Sequence, residues 1–115
     1  MAYTREETEN VEVDYTIKQL WLGIPKALKK LEWTIQESNQ EKYHLTVKTK
    51  GAFMSYASTM RIDLVPIDEK TTRMLIAGET PVTTITSVLD FGRTRERIER
   101  FVVTLAQLME KEKKN

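Results

Sequence analysis

The chain has no cysteine. That absence removes disulfides, thiol catalysis and thiolate metal sites together, although it does not fix a compartment. There is one histidine, His44, and no two further ligands accompany it at metal-binding spacing, so no metal site is expected. Charge of one sign is missing too. Eighteen lysines and arginines face 17 aspartates and glutamates, a net charge of +1, so no global field recruits nucleic acid or an anionic membrane. No apolar run approaches the roughly 18 residues of a membrane span. The first residues, Met1-Ala2-Tyr3-Thr4-Arg5-Glu6-Glu7, are polar and lack the apolar core of a signal peptide. A soluble, cytoplasmic protein is therefore expected. There is no internal repeat and no low-complexity segment. No nucleophile–base or carboxylate pair stands in a recognisable motif, so neither an enzyme nor a cofactor is expected.

What is present describes one domain spanning residues 1–115. The length suffices to bury a core without staples, and 40% hydrophobic with 30% charged residues matches an ordinary globular composition. Thr8 to Val13 alternates and predicts a first strand. Asp14 is placed to cap the helix that follows. That helix carries Ile17, Leu20, Trp21, Ile24, Leu28 and Leu31 on one stripe. Pro25 inside it removes a backbone donor, which predicts either a kink between Trp21 and Pro25 or a second helix beginning at Pro25.

The middle of the chain predicts antiparallel sheet. Trp33 and Ile35 form a short strand, and residues 37–41 a turn. Tyr43, Leu45, Val47 and Thr49 alternate with His44, Thr46, Lys48 and Lys50. Gly51-Ala52 predicts a tight hairpin. Met54, Tyr56, Ser58, Met60, Ile62 and Leu64 then share one face. A two-residue turn there pairs Val47 with Tyr56, Leu45 with Ser58 and Tyr43 with Met60, and sets His44 opposite Thr59. One slip of register would flip every side chain, so the pattern demands an even loop. Arg73 to Ala77 forms another strand, Gly78-Glu79-Thr80-Pro81 breaks it, and Val82 to Ser87 forms the last. Val88-Leu89-Asp90-Phe91-Gly92-Arg93 turns into a long amphipathic helix bearing Ile98, Phe101, Val102, Leu105, Leu108 and Met109. Residues 110–115 read as a frayed, disordered tail. The expected fold is α+β: a β-α-β(4–5)-α chain whose antiparallel sheet carries the N-terminal and C-terminal helices on one face.

The element order, with Val11-Glu12-Val13-Asp14 leading into Ile17 and Trp21 and a long C-terminal helix, resembles the helix-grip fold of START, polyketide-cyclase and pollen-allergen lipid-binding proteins. The TATA-binding-protein-like arrangement has a similar order. Asp90-Phe91-Gly92-Arg93 also resembles the turn of a group of small, uncharacterised prokaryotic strand-helix-sheet-helix proteins. These resemblances imply a fold, not an activity.

Four sets of residues are candidates for a site, each with a structural alternative. Asp90 to Arg93 is a capped, tight turn, or, with Arg95 and Arg97, an anion site at a helix start. His44 is a lone surface histidine, or a base oriented by Asp63, which the predicted register puts out of reach. Trp21, Trp33, Phe53, Met54, Tyr56 and Met60 are core, or line an apolar ligand pocket, for which Trp21, Trp33, Met54, Tyr56 and Met60 are the candidates. Lys48, Lys50, Arg61 and Arg73 stand on a solvated sheet face that lacks the stacking aromatics of a nucleic-acid surface. The leading expectation is a non-enzymatic domain that binds a small apolar or amphipathic ligand between sheet and helices. The alternative is a protein-interaction or homodimerisation module that uses the open sheet face. Nucleic acid through Lys26–Lys30 and Arg93–Arg100 ranks below both.

Overall fold

Strand alternation and helix stripes assemble into a single sheet with two helices on one side. The computed structural model describes residues 3–50, 59–82 and 93–114. In chain order the elements are β1 (Tyr3–Val13), α1 (Ile17–Leu31), β2 (Thr34–Asn39), β3 (His44–Lys48), β4 (Thr59–Pro66), β5 (Thr72–Val82) and α2 (Arg93–Lys114). The sheet has five strands in the order β1-β5-β4-β3-β2, and every neighbouring pair is antiparallel. The first and last strands are thus adjacent, paired from Tyr3↔Val82 to Val13↔Thr72. Helix α1 must cross from the β1 edge to the β2 edge. Fifteen residues rise ~22 Å in a helix, enough to span four inter-strand gaps of ~4.8 Å each.

The core lies between this sheet and the helices. Leu45 and Val47 of β3, Met60, Ile62 and Leu64 of β4, and Met74 and Ile76 of β5 are all buried. Register stacks them in rows: Val47 faces Met60, Leu45 faces Ile62, and Ile62 in turn faces Ile76. From above, Leu20, Ile24, Ala27 and Leu28 of α1 and Ile98, Phe101, Leu105 and Met109 of α2 close the same cluster. Each of these side chains other than Ala27 stabilises the fold by about 1.5–3 kcal/mol relative to its exposed state. The helices also meet each other. Gly23 of α1 is buried against Met109 and Leu105 of α2, and a Cβ there would collide with the Met109 sulfur.

The ends of α1 follow from local chemistry. Its N-cap is Thr16, not Asp14. The Thr16 hydroxyl accepts from the Gln19 amide at 3.1 Å, and the Gln19 side chain accepts from the Thr16 amide at 2.8 Å, a reciprocal capping box. A single helix runs through Pro25 to Leu31, so no second helix begins at the proline. Pro25 is exposed, which lets water reach the Trp21 carbonyl that proline leaves without its usual donor. At the other end Glu32 is left-handed (φ 64°), and the amides of Glu32 and Trp33 donate to Lys29 and Leu28. This closing turn leads Trp33 into the core.

Several boundaries differ from the expectation. Strand β1 begins at Tyr3 rather than Thr8, and β2 continues to Asn39 before turning at residues 40–43. Strand β5 is one piece through Gly78-Glu79-Thr80-Pro81. Pro81 pairs with Thr4 of β1 in that strand. Helix α2 continues to Lys114, through the stretch that reads as a frayed tail. The β3–β4 register pairs Val47 with Met60 instead of Tyr56, and His44 with Asp63 instead of Thr59. The displacement is even, so every residue keeps its predicted face while its cross-strand neighbour changes. The Gly51-Ala52 turn, Phe53, Met54, Tyr56, Ser58 and the Val88–Gly92 turn lie outside the described residues.

Candidate functional site

Strand β1 is an edge strand, and its inward positions differ from those of the central strands. Val11 lies opposite Met74 and Glu9 opposite Ile76, so both look toward the helices. Helix α2 passes over this edge and presents Ile98, Glu99, Val102 and Val103 to it. Ile98 is fully buried, Val102 half-buried and Val103 53% exposed. An apolar side chain that exposed, next to a half-buried one, marks an incompletely filled contact. A crevice of about 330 Å³ opens here, lined by Glu9, Val11, Ile98, Glu99, Val102 and Val103.

One end of the crevice is polar. The Arg95 guanidinium lies 2.6 Å from Glu9 Oε2 and 3.6 Å from Glu99 Oε1, and its Nη1 donates to the Thr8 carbonyl at 3.0 Å. The last bond occupies an acceptor on the outer edge of β1. Two carboxylates around one guanidinium leave the cluster with an excess of negative charge. An apolar floor with a fixed polar end suits an amphipathic molecule better than a purely apolar one.

The other residues singled out in the sequence are dispersed. Trp33 and Met60 are core residues. Trp21 is half-buried and packs edge-to-face on Tyr43, with ring centroids 5.4 Å apart and planes at 88°, an arrangement that adds about 0.5–1.5 kcal/mol beyond burial. Tyr43 sits at the β2–β3 turn with φ 50°, so this pair closes one end of the core. Met54 and Tyr56 lie outside the described residues. Of the arginines, Arg95 is surrounded by oxygen acceptors and Arg97 is buried on α2. The Arg93 side chain lies outside the described ones.

His44 is the residue whose placement differs most from the sequence reading. It is not alone. Its Nδ1 lies 2.6 Å from Asp63 Oδ1 and its Nε2 lies 3.2 Å from the Thr46 hydroxyl, all on the open face of the sheet. Among the described residues no three histidine, aspartate or glutamate side chains group as metal ligands, and no helix is long and apolar enough to cross a membrane.

No protein-family model and no curated protein matches the chain. Solved structures do. A point mutant of norcoclaurine synthase from Thalictrum flavum, in complex with a transition-state analogue, superposes with a TM-score of 0.74 at 12% identity, covering 98% of both chains. The same plant's norcoclaurine synthase in complex with dopamine and hydroxybenzaldehyde gives 0.69 at 13% identity, over 96% of this chain and 88% of the other. A conserved protein from Geobacillus kaustophilus gives 0.65 at 16% identity, over 93% of this chain and 96% of the other. The fold is helix-grip. At these identities the likeness is one of fold alone, and chemistry has to be argued from the residues.

Proposed function

We propose that this domain binds a small amphipathic molecule in the crevice between β1 and α2. The observation that carries the reading is the lining: Val11, Ile98, Val102 and Val103 form an apolar wall that ends at the Glu9–Arg95–Glu99 cluster. About 330 Å³ is at the small end of ligand pockets, so the occupant is a single ring or a short chain rather than a sterol or a long acyl chain. The excess of carboxylate at the polar end favours a ligand that brings a hydroxyl or amine donor. A norcoclaurine synthase of the same fold is described in complex with dopamine and hydroxybenzaldehyde; small phenols and amines of that size are the first molecules to try.

The crevice lining does not include Trp21, Trp33 or Met60, the set expected from the sequence. Native mass spectrometry of the purified protein, alone and with a panel of small phenols, aryl amines and short-chain amphiphiles, tests the reading. Bound mass should appear in the native chain and disappear in Val102→Trp, whose ring fills the crevice. Equal retention by both proteins would overturn the assignment.

A further inference from the structure

Strands β3 and β4 bring His44, Thr46 and Asp63 together on the face of the sheet opposite the helices. An ionised carboxylate only accepts hydrogen bonds, so the proton on the imidazole stays at Nδ1, facing Asp63. In the neutral ring Nε2 is then the acceptor, and the Thr46 hydroxyl lies 3.2 Å from it. This is a hydroxyl, a base that can take its proton, and a carboxylate that orients the base. His44 is 25% exposed and Asp63 47% exposed, so the group is open to small molecules. Arg61 stands across from Thr46 in the β3–β4 register, and its guanidinium is paired with Glu79 of β5 at 2.9 Å. Asp63 also rims a trough of about 440 Å³ whose wall runs along Thr8, Asn10, Leu75 and Ala77 to Glu9, Ile76 and Arg95 at the β1 edge. There an aryl ring or short acyl chain can lie next to the dyad.

We propose that Thr46 and His44 form a nucleophile–base pair that accepts acyl groups from small, neutral, activated carboxylic esters. In the step, the Thr46 oxygen bonds to the ester carbonyl carbon while its proton passes to His44 Nε2. The bond from that carbon to the leaving oxygen then breaks, and the leaving alkoxide or phenoxide takes the proton from Nε2. The products are an O-acylated Thr46 and a free alcohol or phenol, with no oxidant, metal or second substrate consumed. Asp63 does not take the transferred proton and is a positioning residue. This inference does not use the crevice residues Val11, Ile98, Val102 and Val103, although Glu9 borders both hollows.

The test uses the whole chain and p-nitrophenyl acetate. Release of p-nitrophenolate is followed with time, and the protein is then mapped by peptide mass spectrometry. The expected result is one acetyl group at Thr46, formed about 10²-fold faster than in His44→Gln, the lower end of what a positioned base contributes. Thr46→Val should abolish that adduct, and Thr46→Ser should restore it at Ser. For Asp63 the readout is the imidazole nitrogen spectrum, unambiguous because the chain has one histidine. The wild-type ring should be held as the Nδ1-protonated tautomer, and Asp63→Asn should release it to a mixture. Circular dichroism of each variant separates loss of chemistry from loss of fold. Acetylation spread over lysines, unchanged in His44→Gln and Thr46→Val, would overturn the proposal. So would an unmodified Thr46 in a folded protein.

Discussion

The carboxylate of Asp63 lies 2.6 Å from Nδ1 of His44, because the two residues are register partners on β3 and β4. The contact spans 19 residues of chain, and it exists only in the register in which Val47 meets Met60. It therefore reports directly on strand pairing. With His44 25% and Asp63 47% exposed, solvent screens much of its energy. A double-mutant cycle with His44→Ala and Asp63→Ala should return a coupling of about 0.5–1 kcal/mol. A coupling of zero would mean that the strands pair differently.

The start of α1 separates two capping residues. Thr16→Ala removes the hydroxyl that accepts from the Gln19 amide and should lower stability by about 1 kcal/mol in urea denaturation. Asp14→Ala lies outside the capping box and should stay within about 0.5 kcal/mol of the native chain. The reverse ranking would restore Asp14 as the cap.

Where the helices cross, Gly23 leaves room for the Met109 side chain. In Gly23→Ala, the gain in helix propensity, about 0.8–1 kcal/mol, is opposed by displacing a flexible methionine, so the net change is small. Gly23→Leu has no such offset and should destabilise by about 1–3 kcal/mol. Met109→Ala in the same chain should recover part of that loss, visible as a non-additive melting temperature. Strict additivity would place the helices further apart.

Glu32 closes α1 in a left-handed conformation and hydrogen-bonds Lys50 at 2.9 Å. That hydrogen bond, with the lysine charge behind it, holds the Glu32 carboxyl below its ordinary pKa. A depressed folded-state pKa stabilises the fold above the unfolded value, and the contribution is lost as pH falls through the folded value. Lys50→Met should raise the Glu32 pKa toward the usual carboxylate range in a carbon-detected NMR titration. Glu32→Gly loses the bond to Lys50 but removes the left-handed penalty of about 1–2 kcal/mol. It should raise the melting temperature, since an exposed ion pair contributes little.

Much of this fold was legible because burial obeys period. Leu45, Val47, Met60, Ile62, Leu64, Met74 and Ile76 alternate and all face inward, and Ile98, Phe101, Leu105 and Met109 form the expected stripe. Alternation determines which face a residue takes, but not its partner. An even shift in the β3–β4 pairing left the core unchanged and brought Asp63 to His44, a contact that no local pattern encodes. Their shared face was the one available signal. The crevice was hidden for a related reason. It needs β1 at the edge beside β5, a pairing between the two ends of the sheet's chain, and α2 laid over that edge. Trp21 and Trp33 carry large apolar side chains, which suit a pocket and a core equally well; here Trp21 packs on Tyr43 and Trp33 is buried in the core.

The central claim is that the cleft between β1 and α2 holds a small amphipathic molecule. Amide and methyl chemical-shift mapping, with hydroxybenzaldehyde and then dopamine as titrants, addresses it most directly. Saturable shifts centred on Val11, Ile98, Val102 and Val103, with the Arg95 side-chain signal moving alongside them, are the predicted result. Shifts confined to the opposite face around His44 and Leu75, or none at millimolar ligand, would contradict it.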